Sequence, residues 1–151
     1  MDQVLNLPAC DFRSRVNDQG NEEIFDPIRR KYVAKTPEER VRLHFIQFLI
    51  IEKHYPDRLI SVEKGLTVNG MKRRFDAVVY NRKGEPLVLI EFKAPEVKIG
   101  QKVFDQMGAY NLALRVKYLM VSNGLRHFCC RFDTSKMRWE FLDTIPPYPE
   151  L

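Results

Sequence analysis

Apolar and polar residues recur with two different periods along the chain, and these periods predict which segments are helices and which are strands. The segment from Thr36 to about His54 has apolar residues at helical spacing on most of its circumference, which predicts a largely buried helix. A second helix is predicted over residues 100–114. Strands are predicted over residues 58–63, 66–68, 72–80, 87–93, 117–122, 127–132 and 137–142. This order of elements favours an α/β fold with a mixed central sheet flanked by helices.

The first helix has a well-marked start and end. Thr36 suits the N-cap, Pro37 suits the first helical position, and Glu39 stands at the third position of a capping box. Tyr55-Pro56 then ends the helix, because proline lacks the backbone N–H group that a helix needs.

An N-terminal arm precedes this helix and covers residues 1–35. Residues 12–16 and 23–25 alternate on either side of the turn-forming residues 17–21, which predicts a β-hairpin. The basic segment 28–33 leads on from it. The arm has too few apolar residues for a core of its own. We therefore expect it to pack on the main body or on a second copy of the chain.

The remainder of the chain is predicted to be one domain with a short tail. The chain has 151 residues, and this length suffices for a single core. We assign residues 36–145 to the main domain. Residues 146–151 are rich in proline, and we predict a tail without regular structure.

Two acidic residues are predicted to face each other across a hairpin of this domain. Residues 81–86 have the composition of a tight turn. A hairpin centred on Lys83-Gly84 pairs Asp76 with Glu91. Like charges in such a position destabilise a sheet, and a bound divalent cation would explain why both are present.

Phe92 and Lys93 extend this candidate metal site. Asp76, Glu91 and the backbone carbonyl of Phe92 offer the oxygen ligands that Mg²⁺ prefers, and Mn²⁺ is a substitute. Lys93 shares a face with Glu91, where it would lower the pKa of an attacking water and stabilise charge on a phosphate. The alternative is a simple ion pair between Glu91 and Lys93 on an edge strand. The apolar run 87–90 predicts a buried central strand, and with Asp76 opposite it favours the metal site.

Glu39 has two interpretations. Its place in the capping box is a complete structural explanation. It could also serve as a third metal ligand, delivered from the start of the first helix. One carboxylate cannot fully satisfy both roles, since it cannot bind the N–H of Thr36 and an ion at once.

Four further residues are candidates for contacts with a DNA backbone. Gln106 and Tyr110 are four residues apart on the second helix and therefore share a face. They could be ordinary helix surface, or they could contact DNA or orient Lys93. Arg73 and Arg74 are either solvated charges or phosphate contacts just before the acidic pair.

Charge and cysteine content narrow the class of protein only slightly. The net charge of +5 and the pI of about 9.2 permit a polyanionic partner without requiring one. The three cysteines, Cys10, Cys129 and Cys130, have no metal-binding spacing, which favours a reducing cytoplasm. No apolar run approaches the roughly 20 residues of a membrane helix, and the first residues lack the features of a secretory signal.

The motifs together resemble a known group of enzymes. Asp76, the segment Glu91-Phe92-Lys93 and the segment from Gln106 to Tyr110 resemble the PD-(D/E)XK nucleases that carry a Q-x-x-x-Y motif. More narrowly, residues 25–145 resemble the N-terminal nuclease domain of type I restriction enzyme R subunits. Further matching stretches are residues 36–42, 74–76, 89–95, 110–111 and 122–124.

This resemblance implies a restriction-endonuclease-like core and a set of site residues. Asp76 and Glu91 match metal ligands, Lys93 matches the catalytic lysine, and Glu39 matches the acidic residue of the first helix. Gln106 and Tyr110 match the Q-x-x-x-Y pair, and the implied reaction is Mg²⁺-dependent cleavage of DNA.

The chain also departs from the family pattern. Phe75 stands where the motif has its proline. No G-x-x-x-x-G-K-[ST] phosphate loop is present, so this chain has no ATP site for a motor. A free domain would have to act alone, as a homodimer, or with subunits of a restriction system. The main alternative to a nuclease is therefore a DNA-binding or assembly module with little cleavage of its own.

Overall fold

The computed structural model describes residues 3–151, apart from the side chains of residues 110–113, and contains two sheets and two α-helices. The strands are β1 (Ser14–Val16), β2 (Glu22–Asp26), β3 (Lys31–Ala34), β4 (Ile60–Val68), β5 (Met71–Tyr80), β6 (Pro86–Phe92), β7 (Tyr118–Ser122), β8 (His127–Asp133) and β9 (Arg138–Leu142). The helices are α1 (Pro37–Ile51) and α2 (Gln101–Leu114), and short 3₁₀ turns cover Asp57–Leu59 and Tyr148–Glu150.

The main sheet has six strands in the order β4-β5-β6-β7-β8-β9. All neighbours are antiparallel except β6 and β7, which run parallel. Parallel neighbours need a crossover connection, and α2 provides it. The mixed α/β architecture confirms the predicted fold class.

The register of β5 and β6 agrees with the hairpin that the sequence predicts. Ala77 pairs with Ile90 and Val78 with Leu89. The next position along both strands places Asp76 across from Glu91. The slip in register lies at the other end of the ladder, between Val79 and Tyr80.

One residue of β4 interrupts this regular pattern. Residues 58–63 and 66–68, predicted as strand, form a single strand from Ile60, in which Glu63 has a φ of 56°. Glu63 has no backbone partner on β5, although its neighbours do: Val62 pairs with Ala77, and Lys64 pairs with Phe75. A non-glycine residue with positive φ in a strand is strained, and Glu63 is the residue that faces Asp76.

The two helices bury opposite faces of the main sheet. On one face, α1 packs against β5, β6 and β7; on the other, α2 packs against the alternate residues of the same strands. The first core includes Val41, Phe45, Leu49, Ala77, Val79, Ile90, Phe92 and Met120. The second core includes Phe75, Val78, Leu89, Met107, Leu119 and Val121.

The N-terminal arm is a three-stranded sheet, β1-β2-β3, and not only a hairpin. The basic segment after the predicted hairpin contains the third strand. Ile24 and Val33 pack on Leu43 of α1, so the arm lies on the body of the same chain. The strand has only four residues and follows directly on Arg29 and Arg30, so the basic run masks it in the sequence.

The C-terminal residues are more ordered than the sequence predicts. The expectation of no regular structure is wrong for Tyr148–Glu150, which form a 3₁₀ turn. Tyr148 is buried against Tyr55, whose hydroxyl donates a 2.8 Å hydrogen bond to the carbonyl of Pro146. Burial of aromatic rings anchors a segment that its prolines alone would leave extended. Among the described residues, no helix is long and apolar enough to cross a membrane.

Candidate active site

The middle of β5 and the end of β6 bring three ionisable side chains together. Asp76 lies on β5, Glu91 is the penultimate residue of β6, and Lys93 follows the strand. The backbone N–H of Phe92 donates a 2.8 Å hydrogen bond to Oδ2 of Asp76. Nζ of Lys93 lies 3.4 Å from Oε1 of Glu91. The three side chains are 29–33% exposed, so a phosphate can reach them although the strands are buried.

The neighbouring strand holds the backbone of Lys93. Its N–H donates a 2.9 Å hydrogen bond to the carbonyl of Ser122, which extends the parallel pairing of β6 and β7 by one residue. The side-chain amide of Asn123 donates a 2.8 Å bond to the carbonyl of Val97. Asn123 therefore ties the loop after β6 to the turn after β7. The sequence predicts that turn, but not its contact with the loop that carries Lys93.

The electrostatics at Glu91 are those of a carboxyl group held close to another acid. Burial raises the pKa of Glu91; the Lys93 ammonium lowers it, and the Asp76 carboxylate raises it again. The net result is a pKa above the ordinary value. A cation beside Asp76 and Glu91 would relieve their repulsion.

The donor set fits a hard divalent cation that keeps part of its water shell. Asp76 and Glu91 offer carboxylates, and Phe92 offers a backbone carbonyl. Mg²⁺ is commonly held by one or two carboxylates together with waters and substrate phosphate. Within the part of the chain that the structure describes, no group of three or more His, Cys, Asp or Glu side chains is placed to hold a metal. A closed site made only of protein side chains does not fit these residues.

The carboxylate of Glu39 binds two arginines and does not complete the predicted capping box. The hydroxyl of Thr36 accepts the N–H of Glu39 at 3.1 Å, so Thr36 is the N-cap. The N–H of Thr36 bonds to the carbonyl of Ala34 instead of to the Glu39 carboxylate. That carboxylate binds Arg29 at 2.7 Å and Arg42 at 3.0 Å. Its role as a metal ligand stays a prediction.

These two arginines belong to a cluster that sequence reasoning missed, which we name the arginine network. It consists of Asp26, Arg29, Glu39, Arg42 and Glu63. Arg42 also approaches Asp76, with Nη2 at 3.9 Å from Oδ1. An arginine inside the apolar stretch of α1 was the one signal in the sequence that could have revealed it.

The two arginines predicted to contact phosphate lie beside this network. Arg74 forms a 3.0 Å ion pair with Glu63, and its side chain is 71% exposed. Arg73 precedes it on β5, with Nη2 at 3.8 Å from Sδ of Met71. Burial favours a higher pKa for Glu63, but Arg29, Arg42 and Arg74 outweigh burial and lower it.

Gln106 lies on α2, which covers the face of the main sheet opposite to α1, and it approaches the acidic pair from that face. It lines a cavity of about 100 Å³ together with Arg74, Phe75, Asp76, Ile90, Glu91 and Met107. Gln106 therefore lies near both acids, and its contact with DNA or with Lys93 stays a prediction. The side chain of Tyr110 lies outside the described residues.

Comparison with known proteins identifies the family. A family model described as type I restriction enzyme R protein N terminus matches residues 37–146. The chain belongs to this family. The match covers the candidate site, both α-helices and the whole main sheet, and confirms the resemblance that the motifs suggest. No curated protein sequence matches this chain.

A solved structure supports the fold. It is a fragment described as an HsdR subunit of a type I restriction enzyme from Vibrio vulnificus, with a TM-score of 0.54 and 19% sequence identity. The match covers 77% of this chain and 24% of that one. At this identity the likeness concerns the fold, which is the restriction-endonuclease-like core. The matched part therefore spans about a quarter of that chain's length.

Proposed function

We propose that the chain is a metal-dependent deoxyribonuclease that hydrolyses phosphodiester bonds in DNA with Mg²⁺ or Mn²⁺. The observation that carries the proposal is the placement of Asp76 across from Glu91, with Lys93 at 3.4 Å from the second acid. Membership in the family of type I restriction enzyme R protein N termini supports it.

Each residue of the site has a distinct part in this proposal. Asp76, Glu91 and the carbonyl of Phe92 would hold the ion, which when bound polarises the phosphate and acidifies a water. The N–H of Phe92 fixes one oxygen of Asp76, so this carboxylate needs little reorganisation. Lys93 stabilises the negative charge that develops on the phosphate during in-line attack.

DNA would lie along the exposed side of the acidic pair. Arg73 and Arg74 would contact its phosphates, and Gln106 and Tyr110 would contact its backbone or orient Lys93. These contacts read charge and shape and not base sequence. Subunits of a restriction system in the cytoplasm, or a second copy of the chain, would complete the assembly.

Plasmid nicking with Mg²⁺ or Mn²⁺ tests the proposal. Glu91→Ala and Lys93→Ala should each abolish most of the cleavage. Matched controls are Glu140→Ala and Lys136→Ala, which break an ion pair of 3.3 Å elsewhere in the protein. Cleavage that survives both Glu91→Ala and Lys93→Ala would rule out this mechanism.

A second candidate is a DNA-binding or assembly module with little cleavage of its own. The observation in its favour is that both oxygens of Glu39 are taken by arginines, which leaves two carboxylates for an ion. Calorimetric titration separates the two candidates. Mn²⁺ binding that disappears in Asp76→Ala supports the nuclease, and no binding at millimolar Mn²⁺ supports the module.

A further inference from the structure

Two groups orient Asp76, namely the backbone N–H of Phe92 and the side chain of Arg42. The N–H of Phe92 holds Oδ2, while Nη2 of Arg42 lies 3.9 Å from Oδ1. Arg42 is 6% exposed and lies on α1, so its position is fixed by packing as well as by charge. Among the described residues it is the only buried arginine.

Two glutamates hold Arg42 in this position. Its Nη1 lies 3.0 Å from Oε1 of Glu39 and 3.4 Å from Oε1 of Glu63. Neither glutamate is bound by Arg42 alone. Arg29 binds the other oxygen of Glu39 at 2.7 Å and reaches Glu63 at 3.3 Å. Both oxygens of Glu39 are therefore engaged.

Arg29 brings the N-terminal arm into the arrangement. It lies between β2 and β3, where its Nε donates to the carboxylate of Asp26. Asp26 is 2% exposed and also accepts the N–H of Ile28. A chain of contacts thus runs from the arm through Arg29, Glu39 and Arg42 to Asp76.

This arrangement carries two local costs in free energy. Nε of Arg42 is buried and has no hydrogen-bond partner among the described residues, and an unsatisfied buried donor destabilises the fold. Glu63 has a φ of 56° within a strand, which is strained backbone. Apolar residues often stabilise such a buried position as well as ion pairs do. Stability alone therefore does not explain the network.

We propose that Arg42 is a positioning residue for Asp76, and that Glu39 acts on the site by anchoring Arg42 and not as a metal ligand. The inference rests on the proposed function, in which Asp76 holds the ion. It also makes Arg29, and with it the N-terminal arm, part of the active site.

The N–H group of Phe92 reports the position of Asp76 without any metal. Its amide resonance in ¹H–¹⁵N spectra of the full chain depends on the bond to Oδ2. The variant Asp76→Asn serves as the reference, because it shows how the chemical shift of the Phe92 amide changes when this hydrogen bond is altered. Arg42→Lys and Glu39→Gln should each move the Phe92 resonance in the same direction. The control is Glu23→Gln, which breaks a 2.8 Å ion pair with Arg15 in the arm and should leave the resonance in place.

The double variant separates an anchor from a ligand. If Glu39 acts through Arg42, then Glu39→Gln has no further effect on the Phe92 resonance or on the Mn²⁺ dissociation constant once Arg42→Lys is present. A further loss of Mn²⁺ affinity in the double variant, or a Phe92 resonance unchanged in Arg42→Lys, overturns the proposal. If Arg42→Lys does not fold, Glu63→Gln removes another anchor of Arg42 and should move the same resonance.

Failure of the proposed function gives a different result. If the wild-type chain binds no Mn²⁺, the nuclease proposal fails, and the metal-free Phe92 shifts alone decide the role of Arg42. If Mn²⁺ binds and Arg42→Met strengthens its binding by releasing Glu39, then Glu39 is a ligand and the positioning role is wrong.

Discussion

Two regions of this protein each combine two acids with a lysine, and only one of them has the features of an active site. In the middle of β5 and at the end of β6 these are Asp76, Glu91 and Lys93. At the turn between β8 and β9 they are Asp133, Glu140 and Lys136. The lysine-to-glutamate distances are nearly equal, at 3.4 and 3.3 Å.

The two regions differ in what satisfies the acids. Asp133 lies at the surface and accepts hydrogen bonds from the N–H and hydroxyl of Ser135 and from the N–H of Lys136, which lower its pKa. Glu91 is half-buried beside Asp76, and its pKa is raised. The turn between β8 and β9 is solvated, and its acids need no further partner. At the site on β5 and β6, burial and the neighbouring acid raise the pKa of Glu91 although Lys93 lies beside it, and a cation there would relieve the repulsion between the two acids. Ion-pair geometry alone therefore does not identify a site; a second acid close enough to raise the pKa of the first does.

The largest expected difference between the two regions is in how much a substitution lowers the free energy of unfolding. Arg42→Met leaves three carboxylates without their shared guanidinium, and breaking a buried charge network costs about 3–5 kcal/mol. Lys136→Met removes a surface pair, which is worth about 0.2–1 kcal/mol at most. Urea unfolding measures both. A loss below about 1 kcal/mol for Arg42→Met would show that the arginine network is as well solvated as the turn.

The next contrast is in catalysis. Lys93→Ala should lower the rate of plasmid nicking by about 10²–10³, the usual effect of removing one group that stabilises transition-state charge. Lys136→Ala should leave the rate unchanged, because this lysine lies at the other end of the main sheet. Equal effects of the two substitutions would mean that Lys93 acts only through overall charge.

DNA binding provides a smaller contrast. Arg73→Ala and Arg74→Ala should each weaken binding and reduce the slope of log K against log salt concentration by about one. Arg138→Ala, near the turn after β8, should leave the slope unchanged. Fluorescence anisotropy with a labelled duplex at several salt concentrations, without metal, measures these slopes. A slope that is reduced only in Arg138→Ala would show that DNA binds at the other end of the main sheet.

The smallest contrast is in the pH dependence of stability, measured in a metal chelator. The pKa of Glu91 is raised above 4.5 by folding, so its ionisation destabilises the folded chain as pH rises through the raised value. Glu91→Gln should therefore stabilise the chain at pH 7, by about 0.2–1 kcal/mol if the facing acids repel as cross-strand pairs do, and not at pH 4.

Asp133 should behave in the opposite way. Its pKa is lowered below 3.8, so its contribution to stability is present at neutral pH and is lost as pH falls through the lowered value. Asp133→Asn should destabilise the chain at pH 7 and have little effect at pH 2. Parallel pH profiles for the two variants would contradict the difference between the regions.

The order of strands and helices in the main domain could be predicted because it follows from short-range patterns. The apolar run 87–90 predicts a central strand, and Thr36-Pro37 predicts the start of α1; both are confirmed. The turn residues 81–86 were sufficient to place Asp76 across from Glu91. The third strand of the arm escaped prediction, because it has only four residues and directly follows the basic residues Arg29 and Arg30.

The sequence by itself determined the acid pair, since turn chemistry sets the register of a hairpin and the register sets which residues face each other. Only the tertiary structure decided what surrounds that pair. Asp26, Arg29, Glu39, Arg42 and Glu63 come from the arm, α1 and β4, and no local pattern relates them. Glu39 shows the difference most clearly. Its spacing from Thr36 predicts a capping box, but the arm places Arg29 against it, and the half-buried carboxylate forms charge-assisted bonds to guanidinium groups instead.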